Sequence, residues 1–166
     1  MFIVSSIMNS KGLHPIRTSK NIGLFDVLVV DDVPSCRKMH VRLIEDYCKS
    51  CTQASDGLEC LQLVEASIAR NEPYDAILLD SAMPNLTGPE AAEQLRNMGY
   101  KGRIIGVTGN ARAVDIEEFI SHGADLVILK PLKADMISDI INEISTTRRA
   151  KWVISKLGSK ISKLKL

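Results

Sequence analysis

This 166-residue sequence contains no apolar run of the about 18 residues that a membrane-spanning helix requires. Its N-terminal segment also lacks the features of a signal peptide, because its apolar run is short and no basic residue precedes it. Hydrophobic residues still make up 45% of the chain, which is enough to form a core and argues against general disorder. We therefore expect a soluble, intracellular, cytoplasmic protein with reduced cysteines and one globular domain.

Acidic residues are absent from Arg148 onward, although the whole chain carries a net charge of only +1. Residues 1–147 carry a net charge of −6, and residues 148–166 carry +7. An acidic body argues against nucleic-acid binding by that body. In the tail, apolar residues recur at helical spacing among lysines, which suits a membrane surface, an acidic partner or a frayed extension. We predict a flexible leader over 1–24, a globular domain over 25–147 and a basic amphipathic tail after it.

The cysteines and histidines do not form a recognisable metal-binding pattern. Cys48 and Cys51 have the C-x-x-C spacing of a redox or zinc pair, but no second pair or histidine cluster accompanies them. A redox or zinc pair stays open, but we favour the interpretation that both cysteines are small buried hydrophobic residues. The histidines His14, His40 and His122 are scattered, and we expect them in solvated or capping positions.

Five short apolar runs alternate with five segments of helical periodicity. A continuous apolar run between polar residues is typical of a strand buried on both faces, which is the situation in a parallel sheet. Alternation of strands and helices predicts an α/β fold with a doubly wound parallel sheet. The predicted strands are Asp26–Asp31, Cys51–Ala54, Ala76–Leu79, Arg103–Thr108 and Leu126–Lys130.

Four of these strands end in a polar residue or are directly followed by one, so these polar side chains are expected at one edge of the sheet, the carboxyl edge. Asp31, Asp32 and Asp80 would repel one another there unless a cation lay among them, and Mg²⁺ is suited to carboxylate ligands. Lys130 adds a positive charge and Thr108 a hydroxyl. Together these groups predict phosphoryl transfer to Asp80, although an Asp after a strand more commonly caps a turn.

Four sequence blocks place these residues in a known pattern: V-V-D-D-V-P-S, L-L-D-S-A-M-P-N-L-T-G, V-T-G-N-A and G-A-D-L-V-I-L-K-P. From about Phe25 to Ser145 the chain resembles the receiver domain of two-component response regulators. The sequences of these blocks are most similar to those of receivers in hybrid histidine kinases. The resemblance implies a flavodoxin-like (βα)5 fold with strand order 2-1-3-4-5.

The resemblance also implies roles for the residues at the carboxyl edge. Asp80 would be the phosphoacceptor. Asp32, Asp80 and the backbone carbonyl of Ala82 would bind Mg²⁺, and Asp31 would assist through water.

The phosphoryl group would be contacted by Thr108 and Lys130, and the Lys130–Pro131 bond is expected to be cis. The donor would be a phosphohistidine on a histidine kinase or histidine phosphotransfer protein. We do not expect a turnover enzyme, because the receiver's site would catalyse only its own phosphorylation and dephosphorylation. The protein would be free-standing or part of a membrane-associated hybrid kinase, and its oligomeric state stays open.

The sequence departs from the receiver pattern at two positions. Val127 stands where receivers usually carry a Tyr or Phe that couples to Thr108. Cys36 stands where hybrid-type receivers often carry Asn. We therefore question signalling through an aromatic flip, while the phosphorylation chemistry is expected to be complete.

Three other functions fit less well. A phosphohydrolase with an aspartyl nucleophile needs a D-x-D pair, whereas Asp31 and Asp32 are adjacent. A nucleotide-binding doubly wound domain needs a glycine-rich turn after the first strand, which this sequence lacks. A pseudo-receiver acting only as an interaction module would not need the full set of site residues. The tail is too short for a DNA-binding output domain, so no direct DNA binding is expected.

Overall fold

The structure is a computed structural model that describes residues 25–145. The predicted leader, residues 1–24, and the predicted tail, residues 148–166, lie outside the described residues, so the domain boundaries and the role of the tail stay predictions. Within residues 25–145 no helix is long and apolar enough to cross a membrane.

Five parallel strands form one sheet in the order β2-β1-β3-β4-β5. This confirms the predicted doubly wound fold and its strand order. The order reverses between β1 and β3, and in sheets of this kind the functional crevice lies beyond the carboxyl ends of the strands at that point. The strands are β1 (Phe25–Val30), β2 (Cys48–Ala54), β3 (Ala76–Asp80), β4 (Arg103–Thr108) and β5 (Leu126–Leu129).

Two of the helices that connect the strands begin at a side-chain cap. The Asp56 carboxylate accepts a hydrogen bond from the Glu59 N–H at 2.8 Å and caps the second helix. Thr87 and Glu90 form a capping box at the start of the third helix. The helices are α1 (Pro34–Ile44), α2 (Gly57–Ala69), α3 (Gly88–Asn97), α4 (Ala113–Ser121) and α5 (residues 137–145).

The second strand is longer than predicted. It begins at Cys48 instead of Cys51, because Cys48 pairs with Phe25 before the register shifts between Phe25 and Asp26. As an edge strand, β2 exposes polar residues such as Lys49 to solvent. Its first half therefore lacks the continuous apolar run from which the other strands were predicted. β5 ends one residue earlier than predicted, at Leu129.

Both faces of the sheet are covered by apolar side chains. Successive residues of β1 point to opposite faces, so that Leu28 and Val30 belong to one core cluster and Val27 and Val29 to the other. Helices α2, α3 and α4 cover the first face, and α1 and α5 cover the second. All of β3 is buried, so its last residue, Asp80, is held in a fixed position.

Two glycines make room for one aromatic ring on the face that α4 covers. A Cβ atom on Gly106 of β4 would lie 2.6 Å from the ring of Phe119, and a Cβ on Gly88 would lie 2.8 Å from the same ring. A Cβ on Gly88 would also collide with the backbone oxygen of Asp80. The start of α3 can therefore approach the end of β3 closely only with glycine at position 88.

At the opposite edge, where the strands begin, charged side chains are paired with one another. We call this the amino edge. The Asp125 carboxylate contacts Arg96 at 2.7 Å and Arg103 at 2.8 Å, and accepts the Ile104 backbone N–H at 2.8 Å. This carboxylate lies between two guanidinium groups and ties α3 and β4 to the start of β5.

Candidate functional site

Three carboxylates meet at the carboxyl edge, as the sequence predicted. Asp80 ends β3, and Asp31 and Asp32 directly follow β1, the neighbouring strand. One ligand oxygen from each of the three residues lies within 4.8 Å of the others. Asp31 is 0% exposed and Asp80 4% exposed, while Asp32 is half-buried. Buried like charges at this separation destabilise one another unless a cation lies close by.

Lys130 supplies part of that positive charge. Its Nζ atom lies 3.0 Å from Asp31 Oδ2 and 2.9 Å from Asp80 Oδ1, so that one ammonium group bridges two carboxylates. The other oxygen of Asp31 accepts the Val33 N–H at 2.9 Å. The Lys130–Pro131 peptide bond is cis, which confirms the prediction.

The pKa values at this site show an incomplete charge balance. Burial raises the pKa of Asp80, Lys130 opposes that shift, and the nearby Asp31 carboxylate adds to it. Burial disfavours the charge of Lys130, yet hydrogen bonds to Asp80 and Asp31 hold its pKa above the ordinary value. The two carboxylates thus outweigh the burial penalty of Lys130, whereas Lys130 offsets only part of the burial penalty of Asp80. An additional divalent cation with a preference for oxygen ligands fits this donor set.

Thr108 ends β4, the strand next to the one that ends in Asp80, and its side chain is buried. Its Oγ1 atom accepts hydrogen bonds from the Ser81 hydroxyl at 3.0 Å and from the Asn110 backbone N–H at 3.1 Å. The sequence analysis predicted Thr108 but missed Ser81. The available signal was the position of Ser81 directly after Asp80, the last residue of the strand adjacent to β4.

The loop after β3 carries Ala82, whose carbonyl was predicted as a metal ligand. Ala82 is exposed and lines a cavity of about 250 Å³ together with Ser81 and Thr108. The Gly88 N–H donates to the Ser81 carbonyl at 3.0 Å and closes this loop. The loop is therefore held at both ends next to Asp80.

His40 lies in a different environment from the one predicted. The expectation of a solvated or capping histidine was wrong for this residue, which is 2% exposed and lies with Ile44 on the buried face of α1. Its Nδ1 atom is 3.6 Å from Asp31 Oδ2. Burial lowers the pKa of His40, although the Asp31 carboxylate raises it. His122 does lie at a helix C-terminus, where its ring contacts the Glu118 carbonyl.

The remaining singled-out residues lie away from the carboxylates. Cys48 and Cys51 carry free thiols, are half-buried and pack against the core cluster beneath α1 and α5. Val127, at the position usually occupied by an aromatic residue, is half-buried and packs against the opposite cluster. Its side chain offers no hydroxyl and no ring for coupling to Thr108.

The family model of the response regulator receiver domain matches residues 27–142. The chain belongs to this family. Receiver domains accept phosphoryl groups from histidine kinases or phosphotransfer proteins, and they generally bind Mg²⁺ at their acidic site. The carboxylate cluster of this chain fits the phosphoacceptor site of that family.

Curated relatives share the receiver domain within longer proteins. Transcription factor SKN7 from Candida albicans is 31% identical over 119 residues, which is 72% of this chain and 20% of the relative. Sensor histidine kinase RcsC from Escherichia coli is 30% identical over 115 residues, covering 69% of this chain and 12% of the relative. The chain thus spans a fifth or less of the length of these relatives, and the similarity concerns the receiver domain.

Solved receiver structures share the fold. The receiver domain of the histidine kinase CKI1 from Arabidopsis thaliana, complexed with Mg²⁺, is 29% identical with a TM-score of 0.68 over 75% of this chain and 94% of that one. The same domain complexed with Mg²⁺ and BeF3⁻ gives 29% identity and a TM-score of 0.64, with 74% and 90% coverage. The receiver fold is therefore shared in three dimensions as well as in sequence.

Proposed function

We propose that this receiver domain accepts a phosphoryl group from a phosphohistidine onto Asp80, with Mg²⁺ held directly by Asp32, Asp80 and the Ala82 carbonyl and through water by Asp31. One observation carries the proposal: the buried Asp80 carboxylate lies within 4.8 Å of two further carboxylates and 2.9 Å from Lys130. Groups arranged in this way position an oxygen nucleophile and balance charge, which are the main requirements of phosphoryl transfer.

In the proposed reaction an oxygen of Asp80 attacks the phosphorus atom of the donor. The nitrogen–phosphorus bond of the phosphohistidine breaks, its electron pair returns to the imidazole, and an aspartyl phosphate forms. When bound, Mg²⁺ would neutralise charge on the phosphoryl oxygens. The burial of Asp80 excludes most solvent from the nucleophilic oxygen and strengthens the electrostatic interactions around it.

Lys130 and Thr108 would contact the transferred group. Lys130 is already within 3.0 Å of two carboxylates, so a short movement of its flexible side chain brings its ammonium to a phosphoryl oxygen. Thr108 supports the proposal through its buried hydroxyl at the end of the adjacent strand. A pseudo-receiver without phosphorylation chemistry would have no use for this arrangement.

The donor would be a histidine kinase or a histidine phosphotransfer protein, either on a separate chain or on the same one. The chain would act in a two-component or phosphorelay pathway and change conformation on phosphorylation. Couplings of this kind typically amount to about 1–3 kcal/mol, so both conformations would be populated before phosphorylation.

Phosphorylation by a small donor tests the proposal. The full chain is incubated with acetyl phosphate and Mg²⁺, and its intact mass is measured. We expect a single phosphoryl adduct that a chelator prevents and that Asp80→Asn abolishes. Asp139→Asn, which changes an exposed carboxylate on α5, is the matched control and should leave the adduct unchanged. Absence of an adduct on the wild-type chain with Mg²⁺ present would contradict the proposal.

A further inference from the structure

Ser81 is bonded to the hydroxyl that the proposed function assigns to the phosphoryl group. Ser81 directly follows β3, and its N–H donates to the Val107 carbonyl at 2.9 Å, which continues the pairing of β3 with β4 past Asp80. This pairing brings the Ser81 hydroxyl to Thr108 Oγ1, where it donates a hydrogen bond at 3.0 Å. The side chain next to the nucleophile is thereby linked to the end of the adjacent strand.

The hydrogen-bonding capacity of Thr108 explains what this link achieves. A threonine hydroxyl has one O–H donor and two acceptor lone pairs. The Asn110 N–H at 3.1 Å and the Ser81 hydroxyl at 3.0 Å occupy both lone pairs. The Asn110 N–H can only donate, and with Ser81 as the donor to Thr108 the Thr108 proton has no acceptor in this pair of contacts. The hydrogen bonds from Asn110 and Ser81 together point the Thr108 hydroxyl proton away from these two residues. The proton is then available to a new acceptor.

We propose that Ser81 is a positioning residue that orients the Thr108 hydroxyl for donation to a phosphoryl oxygen on Asp80. This inference rests on the proposed function. The resulting chain of hydrogen bonds runs from Ser81 to Thr108 and on to the phosphoryl group, and each bond in such a chain polarises the next one. Val127 cannot orient Thr108 by a hydrogen bond, so the side chain that orients Thr108 follows β3 and does not lie on β5.

The surroundings of Ser81 allow the hydroxyl to be changed without overpacking. Ser81 is half-buried and borders the cavity of about 250 Å³ that Thr87 and Pro89 also line. An added methyl group can enter this space. Ser81→Thr and Ser81→Val are therefore a matched pair, because threonine and valine have nearly the same shape and differ in the hydroxyl.

Binding of beryllofluoride, an analogue of the phosphoryl group, provides the test. Its dissociation constant is measured at saturating Mg²⁺ by calorimetry for the wild-type chain and the Ser81 variants. We expect Ser81→Ala and Ser81→Val to bind roughly 3- to 10-fold more weakly, the size expected for one hydrogen bond, and Ser81→Thr to bind like the wild type. A merely structural role would instead change the Mg²⁺ affinity or the unfolding midpoint, which we expect to stay the same.

A double-mutant cycle with Thr108→Val identifies the route of the effect. In the Thr108→Val background, Ser81→Val should cause no further loss of beryllofluoride affinity, because the hydroxyl that it orients is gone. Equal affinities of the wild type and Ser81→Val would overturn the inference while leaving the proposed function intact, as would a full additional loss in the Thr108→Val background. A wild-type chain that neither binds beryllofluoride nor forms an adduct would overturn both.

Discussion

The two edges of the sheet use the same kinds of charged side chain with opposite results. At the amino edge, the Asp125 carboxylate lies between Arg96 and Arg103 at 2.7 and 2.8 Å. At the carboxyl edge, Asp80 shares the single ammonium group of Lys130 with a second carboxylate. Arg103 also contacts Glu143 at 3.1 Å, so two guanidinium groups face two carboxylates and the charge of Asp125 is balanced. The charge of Asp80 is balanced only in part.

The difference shows how one fold separates stability from reactivity. A carboxylate whose charge and hydrogen bonds are satisfied holds helices and strands together and has no reason to bind anything further. A buried carboxylate whose charge is only partly balanced destabilises the protein when no cation is bound. Binding of a cation, or a chemical change that alters the charge of the carboxylate, relieves this destabilisation. The same sheet fixes the positions of both, so the placement of basic residues decides which edge is reactive.

Removal of Arg96 should break the amino edge with the largest effect. The Arg96 guanidinium donates to the carbonyls of Tyr100, Gly102 and Gly123 at 2.9–3.0 Å as well as to Asp125. Arg96→Ala would leave all four acceptors without this donor, and we expect the free energy of unfolding to fall by about 3 kcal/mol. Urea-induced unfolding measures this change.

Arg112→Ala is the control for Arg96→Ala. Arg112 also contacts a carboxylate at 2.8 Å, that of Asp115, but its side chain is 70% exposed. An exposed pair within one helical turn contributes little, so its loss should leave the unfolding midpoint nearly unchanged. Similar losses for the two arginine variants would show that the paired amino edge has no special role in stability.

Neutralisation of a carboxylate should have opposite effects at the two edges. Burial raises the pKa of Asp80, because the ionised carboxylate is disfavoured in the folded chain. The folded chain is therefore stabilised while Asp80 is protonated, and this stability is lost as the pH rises through the pKa of Asp80. At pH 7 without Mg²⁺, Asp80→Asn should therefore stabilise the chain by about 1 kcal/mol.

At the amino edge Asp125→Asn should instead lower the stability, because it removes the charge that pairs with Arg96 and Arg103. Thermal unfolding of both variants in the presence of a chelator makes the comparison. A lower melting temperature for Asp80→Asn would contradict the unbalanced charge inferred at the carboxyl edge. Added Mg²⁺ should raise the melting temperature of the wild type more than that of Asp80→Asn.

The pH dependence of stability should reveal the smallest effect, that of His40. Burial lowers the pKa of His40 below 6.5 in the folded chain. His40 therefore binds a proton more readily in the unfolded chain, and stability is lost as the pH falls from 6.5 towards the pKa of His40 in the folded chain. Between pH 7 and pH 6 the loss of stability from this residue is limited to about 0.7 kcal/mol, the value for a histidine that stays neutral in the folded chain.

His40→Leu should remove this part of the pH dependence, because leucine fills a similar volume and does not titrate. The comparison uses urea-induced unfolding of both proteins at pH 7 and pH 6. The Nε2 atom of His40 has no hydrogen-bond partner among the described residues, so leucine leaves no acceptor without its donor. An identical pH dependence in the two proteins would argue against a buried neutral histidine beside Asp31.

Residues that end strands were predictable from the sequence, and residues that act across strands were not. Asp80 and Thr108 end β3 and β4, and Lys130 follows β5, each after an apolar run that marks the strand. The parallel arrangement then brings them to one edge. The contact of Ser81 with Thr108 depends on the register between β3 and β4, which no local pattern encodes.

Two further differences have the same origin. The first residues of β2 pair with β1 although they lack an apolar run, because an edge strand can expose one side to water. His40 occupies a buried position on α1 that the helical stripe alone would assign to an apolar residue. Its burial follows from the packing of α1 against the sheet beside Asp31, a tertiary contact that a single sequence does not reveal.

The ring of Phe119, which fills the space left by Gly88 and Gly106, also limits how the sequence can vary. An alanine at either glycine would place a Cβ within 2.8 Å of this ring, so the ring or the backbone would have to move. At Gly88 the collision also involves the backbone of Asp80. A low tolerance to substitution is thus expected at two residues that contribute no chemical group, and a library of variants selected for folding would retain glycine at both.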